Sequence, residues 1–136
     1  MSGPSLRQLQ AHRSIHDGAF VEAKHLTELL EQLHSDGREE QILEVADALI
    51  EHWEMRIIAH AESEEEGFYK EKIAQDPSLL EKIVMFKRDH DLMRRLVADI
   101  KDVLSQKRVD KEMLDRFRAL LLINHIHSRE EEKFLF

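Results

Sequence analysis

The stretch His60-Ala61-Glu62-Ser63-Glu64-Glu65-Glu66-Gly67-Phe68-Tyr69 has a counterpart at the end of the chain, His127-Ser128-Arg129-Glu130-Glu131-Glu132-Lys133-Phe134-Leu135-Phe136. Both stretches read His-x-x-x-Glu-Glu, followed by two residues and a bulky pair. Positions four apart lie on one face of an α-helix, so each stretch presents an imidazole and a carboxylate one turn apart. Both groups bind metal ions. The repeat, more than either copy alone, indicates a metal site built on two helices.

The composition is typical of one domain made of long helices. The chain has 136 residues, 35% of them charged, with only four Gly and two Pro, and we expect 1–136 to form a single domain. A net charge of −8 disfavours nucleic acid or an anionic membrane as a partner. The absence of Cys excludes disulfides, thiolate chemistry and Cys-ligated metal. Without an apolar signal core or a membrane-length apolar run, a cytoplasmic protein is expected.

Apolar residues recur at steps of three and four along four segments, which predicts four helices. We expect them to cover about 5–33, 39–72, 77–105 and 111 to near the C-terminus. Ser35-Asp36-Gly37 is predicted to form the first turn, and Asp76-Pro77 and Asp110 are predicted to begin the third and fourth helices. Four such helices with short turns predict an all-α, up-down-up-down antiparallel four-helix bundle.

Seven polar residues interrupt the apolar faces of these helices. At a rise of 1.5 Å per residue, one histidine of each helix lies roughly 15 Å from the same end of the bundle. Burying unpaired carboxylates costs several kcal/mol each, and a bound cation removes that cost. We therefore predict a metal site at this level, formed by His12, His16, His60, Glu64, His90, His127 and Glu131. The alternative for His12 is a packed residue that is hydrogen-bonded to a backbone carbonyl or to water.

The neighbouring residues are interpreted more simply. Large apolar side chains are predicted to pack in the core and to wall the site: Trp53, Ile57, Phe86, Met93 and Leu120. Four histidines fall off the apolar faces and are predicted to be solvated: His25, His34, His52 and His125. Glu62, Glu66 and Glu130 read as surface charge. Glu65 and Glu132 flank the ligand face, so they read either as surface charge or as groups that support the ligands.

The ordered motifs resemble the hemerythrin-like, or HHE cation-binding, domain. The matching residues cover nearly the whole chain: His16 before Asp, His60-x-x-x-Glu64-Glu65, His90 before Asp, and His127-x-x-x-Glu131-Glu132. The resemblance implies a four-helix bundle that holds two iron ions, with histidines as terminal ligands, two bridging glutamates and an oxo or hydroxo bridge. Hemerythrin-like proteins variously bind O₂, sense oxygen or iron, or handle peroxide and nitric oxide.

The chain departs from the oxygen-carrying hemerythrins in its ligand pattern. Those proteins have a His-x-x-x-His pair on the third helix and an Asp bridge on the fourth. Here Phe86 takes the place of the second third-helix histidine, and the fourth-helix carboxylate is Glu131. The His-x-x-x-His pair is His12 and His16, on the first helix. These differences bear on which iron is open and on whether O₂ is carried reversibly.

Counting ligands suggests a function. Imidazole and carboxylate without thiolate suit iron, manganese or zinc, and paired ions bridged by carboxylates favour iron. Two six-coordinate irons need about twelve bonds. The five histidines, the two bridging glutamates and an oxo or hydroxo bridge supply about eleven of them. We therefore expect binding or sensing of O₂ or a related small redox ligand. A di-iron enzyme acting on peroxide or nitric oxide and an iron-buffering bundle are the alternatives. Asn124 is the one obvious protic group on the core faces, which disfavours demanding acid–base catalysis.

Overall fold

Four helices contain most of the chain in the computed structural model, which describes residues 8–136. Helix α1 spans Leu9–Asp36, α3 spans Leu80–Leu104 and α4 spans Lys111–Leu135. Helix α2 covers 39–75. No strand occurs in this part of the chain, so the prediction of an all-helical protein with four helices is confirmed. The first three residues of the predicted first helix, 5–7, lie outside the described residues.

Helix α2 follows one right-handed path, and two π-helical turns interrupt its α-helical hydrogen-bond pattern. Its α-helical parts are Glu39–His52, Ala59–Ser63 and Tyr69–Gln75, and π-helical turns occupy Trp53–Ile58 and Glu64–Phe68. A π-turn closes hydrogen bonds between residues five apart, so it holds one residue more than an α-helical turn and rotates the residues that follow. The apolar periodicity did not predict these turns, because it assumes 3.6 residues per turn throughout.

The helix ends agree with the predicted turn chemistry. Gly37 adopts a left-handed conformation with φ of 70° and ends α1, as glycine does at little cost. The side chain of Asp76 accepts a hydrogen bond from the Ser78 backbone N–H, and Pro77 opens a short 3₁₀ turn before α3. Asp110 caps α4 by accepting the backbone N–H of Met113 at 2.9 Å. Each cap satisfies an N–H that the helix leaves unpaired.

The buried apolar residues form two clusters. The larger cluster contains Trp53 on α2, Met93 on α3 and Phe117 on α4. The smaller cluster contains Phe68, Tyr69, Ile83, Phe86 and Leu135. Along α2, α3 and α4, the predicted ligand residues occur between the positions of the two clusters. The polar residues are therefore enclosed in the core.

Each helix contacts two others: α1 packs against α2 and α4, and α3 packs against the same two helices. Exposed ion pairs join them, such as Arg118 with Glu31 and Lys101 with Glu54. Among residues 8–136, no helix combines the length and the apolar character needed to cross a bilayer.

Candidate metal centre

All seven side chains predicted as ligands come together in the structure, in two groups that share Glu64. The first group is His12, His16, His60 and Glu64, and the second is Glu64, His90, His127 and Glu131. Within each group the candidate ligand atoms all lie within 4.8 Å of one another. Six of the seven side chains are buried, whereas 16% of the His60 side chain is exposed. The arrangement contains two adjacent positions, each of which can hold a metal ion.

The carboxylate of Glu64 faces both groups. Its Oε2 lies 3.2 Å from His12 Nε2 and 3.6 Å from His60 Nε2. Its Oε1 lies 3.3 Å from Nε2 of His90 in the second group. One oxygen is thus directed to each group, which is the arrangement of a carboxylate that bridges two metal ions.

Glu131 repeats this arrangement from α4. Its Oε1 contacts Nε2 of His12 and lies 3.4 Å from Nε2 of His16. Its Oε2 lies 3.2 Å from Nε2 of His127. Nε2 of His90 and Nε2 of His127 are 3.1 Å apart, so both nitrogens are directed at one point. The two groups are therefore connected by two carboxylates, each of which faces both.

Carboxylates also hold the outer ring nitrogens of the histidines. Nδ1 of His16 donates to Glu132 at 2.9 Å, and Nδ1 of His90 donates to Glu65 at 2.6 Å. Such a bond fixes the tautomer and leaves Nε2 free to bind a metal. Of the two sequence interpretations of Glu65 and Glu132, support of the ligands is the one that agrees with the structure. Arginines pair with these carboxylates in turn: Arg94 with Glu65, and Arg13 and Arg129 with Glu132.

A third outer carboxylate, Asp89, was not predicted. Its Oδ2 lies 2.9 Å from Nδ1 of His127. Asp89 is on α3 and His127 is on α4, so no short spacing links them, and only the packing of the two helices brings them together. The Asp residues that follow His16 and His90 pair with arginines instead: Asp17 with Arg129 and Asp91 with Arg94.

Asp89→Asn is expected to weaken metal binding by roughly 10–100-fold, because the amide is a poorer acceptor for the N–H that orients His127. A competitive metal titration against a chelator measures this affinity. Asp99→Asn is the matched control, since Asp99 lies at an exposed position of the same helix. Equal affinities of the two variants would contradict a supporting role for Asp89.

Tyr69 adds a buried hydroxyl that the apolar periodicity did not place in the site. Its side chain is fully buried, and its hydroxyl donates to Oε2 of Glu131 and lies 3.4 Å from Nε2 of His90. The α-helical pattern placed only Phe68, four residues after Glu64, on the inner face. The π-turn Glu64–Phe68 holds one more residue, so Tyr69 is directed inward as well. Asn124 is therefore not the one protic group in the core.

The prediction that His52 is a solvated surface residue was wrong. His52 is buried, with Nε2 2.9 Å from the backbone oxygen of Ala19 and Nδ1 3.5 Å from Glu22. It lies where α2 packs against α1, directly before the first π-turn, so the neighbouring helix covers it. The other three histidines of that set are exposed, as predicted: His25, His34 and His125.

Without metal the centre holds protons on histidine. Burial opposes a charged imidazole at His12, but the hydrogen bonds and charges of Glu131 and Glu64 outweigh it and raise the pKa of His12 to about 10. At His127 burial also opposes the charge, and Asp89 and Glu131 raise the pKa to about 10. Burial and the neighbouring carboxylate of Glu131 disfavour the ionised form of Glu64. Polar contacts with His12 and His60 nevertheless keep the pKa of the Glu64 carboxyl below its usual value. The buried carboxylates of Glu64 and Glu131 therefore need positive charge beside them to stay ionised.

The metal-free protein is expected to lose stability as the pH rises from about 6.5 to about 10. Below 6.5 both the folded and the unfolded chain bind protons at His12 and His127, so the stabilisation is complete. Between the unfolded pKa of 6.5 and the folded pKa of about 10, the unfolded chain releases protons that the folded chain keeps. Melting temperatures across this range measure the effect. His127→Gln is expected to flatten the profile, and His25→Gln, at an exposed site, to leave it unchanged. A flat profile for the unmodified protein would contradict the charges assigned here.

Two buried polar atoms show that the centre fits a cation. Nε2 of His60 and Oε2 of Glu64 make no well-directed hydrogen bond among the described residues 8–136, although they lie 3.6 Å from each other and Oε2 lies 3.2 Å from Nε2 of His12. Buried polar atoms in proteins are nearly always paired, and where the protein supplies no partner a bound ion or water often does. Both atoms belong to the first group and are directed at its centre. A metal ion there supplies the partner that each atom lacks.

A small cavity lies beside both groups. Its volume of about 20 Å³ is enough for one water-sized molecule. Its lining includes ligand, apolar and polar residues: His16, His60, Ile57, Met93, Asn124 and Arg56. Asn124 is buried and offers both a donor and an acceptor to this space. The cavity therefore suits a very small molecule.

Comparisons with models of protein families, with curated proteins and with solved structures found no match to this chain. The function is therefore argued from the residues of the centre.

Proposed function

We propose that this chain is a hemerythrin-like, non-haem di-iron protein that binds O₂ or a related small redox ligand. The observation that carries the proposal is the position of the two carboxylates. Glu64 and Glu131 each direct one oxygen at either histidine group. A single structural ion would need only one of these groups, whereas shared carboxylates join two ions into one centre.

The donor set supports iron. It consists of imidazole nitrogens and carboxylate oxygens without thiolate, and paired ions bridged by carboxylates favour iron over zinc. The first ion would be held by His12, His16 and His60, the second by His90 and His127, and both by Glu64 and Glu131. When bound, such an iron pair supplies electrons to a small oxidising ligand. The outer carboxylates keep the imidazoles oriented for this role.

The cavity supports a small ligand. Met93 and Ile57 make its wall apolar, which limits the access of bulk water. Asn124, which also lines the cavity, offers a hydrogen bond to a ligand there. A volume of about 20 Å³ is enough for one water-sized molecule, which favours a very small ligand. These features favour ligand binding over iron buffering, since a buffer needs no such space.

A di-iron enzyme acting on peroxide or nitric oxide is the second candidate. Tyr69 favours it, because its buried hydroxyl is a proton donor beside the second group. Reactions of peroxide and nitric oxide consume protons, whereas reversible binding needs no net proton supply.

The proposed bundle is antiparallel, with helices that run alternately up and down. Two contacts between α1 and α4 support this. His16, early in α1, contacts Glu132, late in α4. Glu31, late in α1, contacts Arg118, early in α4. Short connections between successive helices are typical of the same topology.

An absorption spectrum taken before and after admission of O₂ tests the proposed function. The protein is loaded with ferrous iron under anaerobic conditions, and its iron content is measured. Carrier or sensor function is expected to give a new visible band that appears with O₂ and disappears when O₂ is removed. Irreversible oxidation with turnover of added peroxide or nitric oxide would favour the enzyme. No spectral change would contradict both.

His12→Ala is expected to keep both irons but to open a second position, because His12 lies between the two carboxylates. Oxidation of the ferrous protein by O₂ is then expected to be faster and less reversible. Iron content, absorption spectrum and autoxidation rate are the measurements. Ser14→Ala, at an exposed position on the same helix, is the control. If all three properties match the unmodified protein, His12 is not a ligand.

A further inference from the structure

The two groups of the centre are unequal in their histidines. The first group has three histidines and the second has two, His90 and His127. Glu64 belongs to both groups, and Glu131 of the second group also reaches His12 and His16 of the first. With Glu131 as a bridge, as proposed above, the second position has one protein ligand fewer than the first. Without a further protein ligand, water would complete the coordination of an ion at the second position.

The hydroxyl of Tyr69 lies at the second position. It donates to Oε2 of Glu131 and lies 3.4 Å from Nε2 of His90. The same Glu131 oxygen lies 3.2 Å from Nε2 of His127, so the phenol oxygen lies beside candidate ligand atoms of this group. Among the described residues, the polar contacts of Tyr69 are all on this side of the centre.

The ring of Tyr69 is held firmly in place. It stacks on the His90 ring with centroids 5.7 Å apart and planes at 8°. It also packs against Phe68 and Phe86, at centroid distances of 6.1 and 6.3 Å. The π-turn Glu64–Phe68 sets its direction, and π-turns inside α-helices are frequent at functional sites. A hydroxyl fixed by packing and backbone is pre-organised for one partner.

We propose that Tyr69 is a ligand of the metal ion at the second position, as a phenolate. The inference rests on the proposed dinuclear centre. Tyr69 would take the one coordination position that the ligand count leaves open, so a small ligand would bind by displacing it.

The Tyr69 oxygen, whose hydroxyl donates a hydrogen bond to Glu131 in the metal-free protein, would exchange its proton for the cation, and the proton would pass to solvent. Nothing is oxidised or reduced in this step. A phenolate has no proton to donate, so this role of Tyr69 excludes the proton-donor role that favours the enzyme. An anionic oxygen ligand prefers the harder ferric ion over the ferrous ion, so Tyr69 favours the oxidised form of the second iron.

Resonance Raman spectroscopy of the ferric protein tests this proposal. Tyr69 is the single tyrosine of the chain, so any iron-bound phenolate must come from it. The expected result is a visible charge-transfer band whose excitation enhances the ring vibrations of a bound phenolate. Tyr69→Phe keeps the stacked ring and is expected to lose both signals. Tyr69→Phe combined with Phe134→Tyr restores one tyrosine outside the centre and is expected not to recover them.

The outcome separates this inference from the proposed function. Two irons per chain without phenolate vibrations would overturn the role of Tyr69 and leave the dinuclear centre intact. Fewer than two irons would contradict the dinuclear centre, and the vibrations would then still decide whether Tyr69 binds the ion that is present. If Tyr69→Phe does not fold, the spectrum of the unmodified protein alone decides the question.

Discussion

Replacing Glu131 by Ala is expected to remove most of the iron from both positions. Its two oxygens face different histidine groups, so one substitution takes a ligand from each ion. The side chain is fully buried, and its loss would leave Glu64 as the one carboxylate facing the Nε2 atoms of the surrounding histidines among the described residues. Removing one partner from a buried charged network typically costs about 3–5 kcal/mol. Glu64→Ala is expected to have a similar effect for the same reason.

Iron content per chain after loading and gel filtration measures this loss. The controls are histidines on exposed positions of α1 and α4, namely His25→Ala, His34→Ala and His125→Ala. His52→Ala is unsuitable, because His52 is buried between α1 and α2. Full iron content in the Glu131 variant would exclude it as a bridging ligand, whatever the effect on stability.

Removing the metal is expected to lower the melting temperature by roughly 10 °C or more near neutral pH. An ion that binds only the folded chain, present at about a thousand times its dissociation constant, stabilises that state by about 4 kcal/mol. For a chain of this size each kcal/mol shifts the midpoint by a few degrees. Protons on His12 and His127 partly replace the cations in the metal-free protein. The difference between the two forms is therefore expected to widen as the pH rises.

Thermal melts of chelator-treated and iron-loaded protein measure this difference. The Glu131→Ala variant is the control, because iron is expected to give it little stabilisation. Equal melting temperatures of the two forms of the unmodified protein would show that metal binding is not coupled to folding.

Local signals explain why the helices and the seven clustered residues could be predicted. Apolar periodicity indicates helices directly, and the caps Asp76 and Asp110 act within a few residues of themselves. The repeated His-x-x-x-Glu motif depends on a spacing of one turn, which a helix preserves. In α3 and α4, where the periodicity held, the residues predicted to pack in the core are buried: Phe86, Met93 and Leu120.

The features that the sequence did not reveal depend on packing between helices or on a change of helical pitch. Tyr69 becomes an inner residue because of a π-turn, which a pattern of 3.6 residues per turn cannot indicate. Asp89 meets His127 only because α3 packs on α4. His52 is buried because α1 covers that side of α2. Each of these residues was assigned from the pattern of its own helix, which does not reveal the helix that packs against it.

Anomalous diffraction at the iron absorption edge from crystals of the iron-loaded protein tests the dinuclear centre most directly. The expected result is two peaks per chain within about 4 Å of each other, one beside His12, His16 and His60 and one beside His90 and His127. Glu64 and Glu131 are expected to contact both peaks. One peak, no peak, or two peaks without a shared carboxylate would contradict the dinuclear centre.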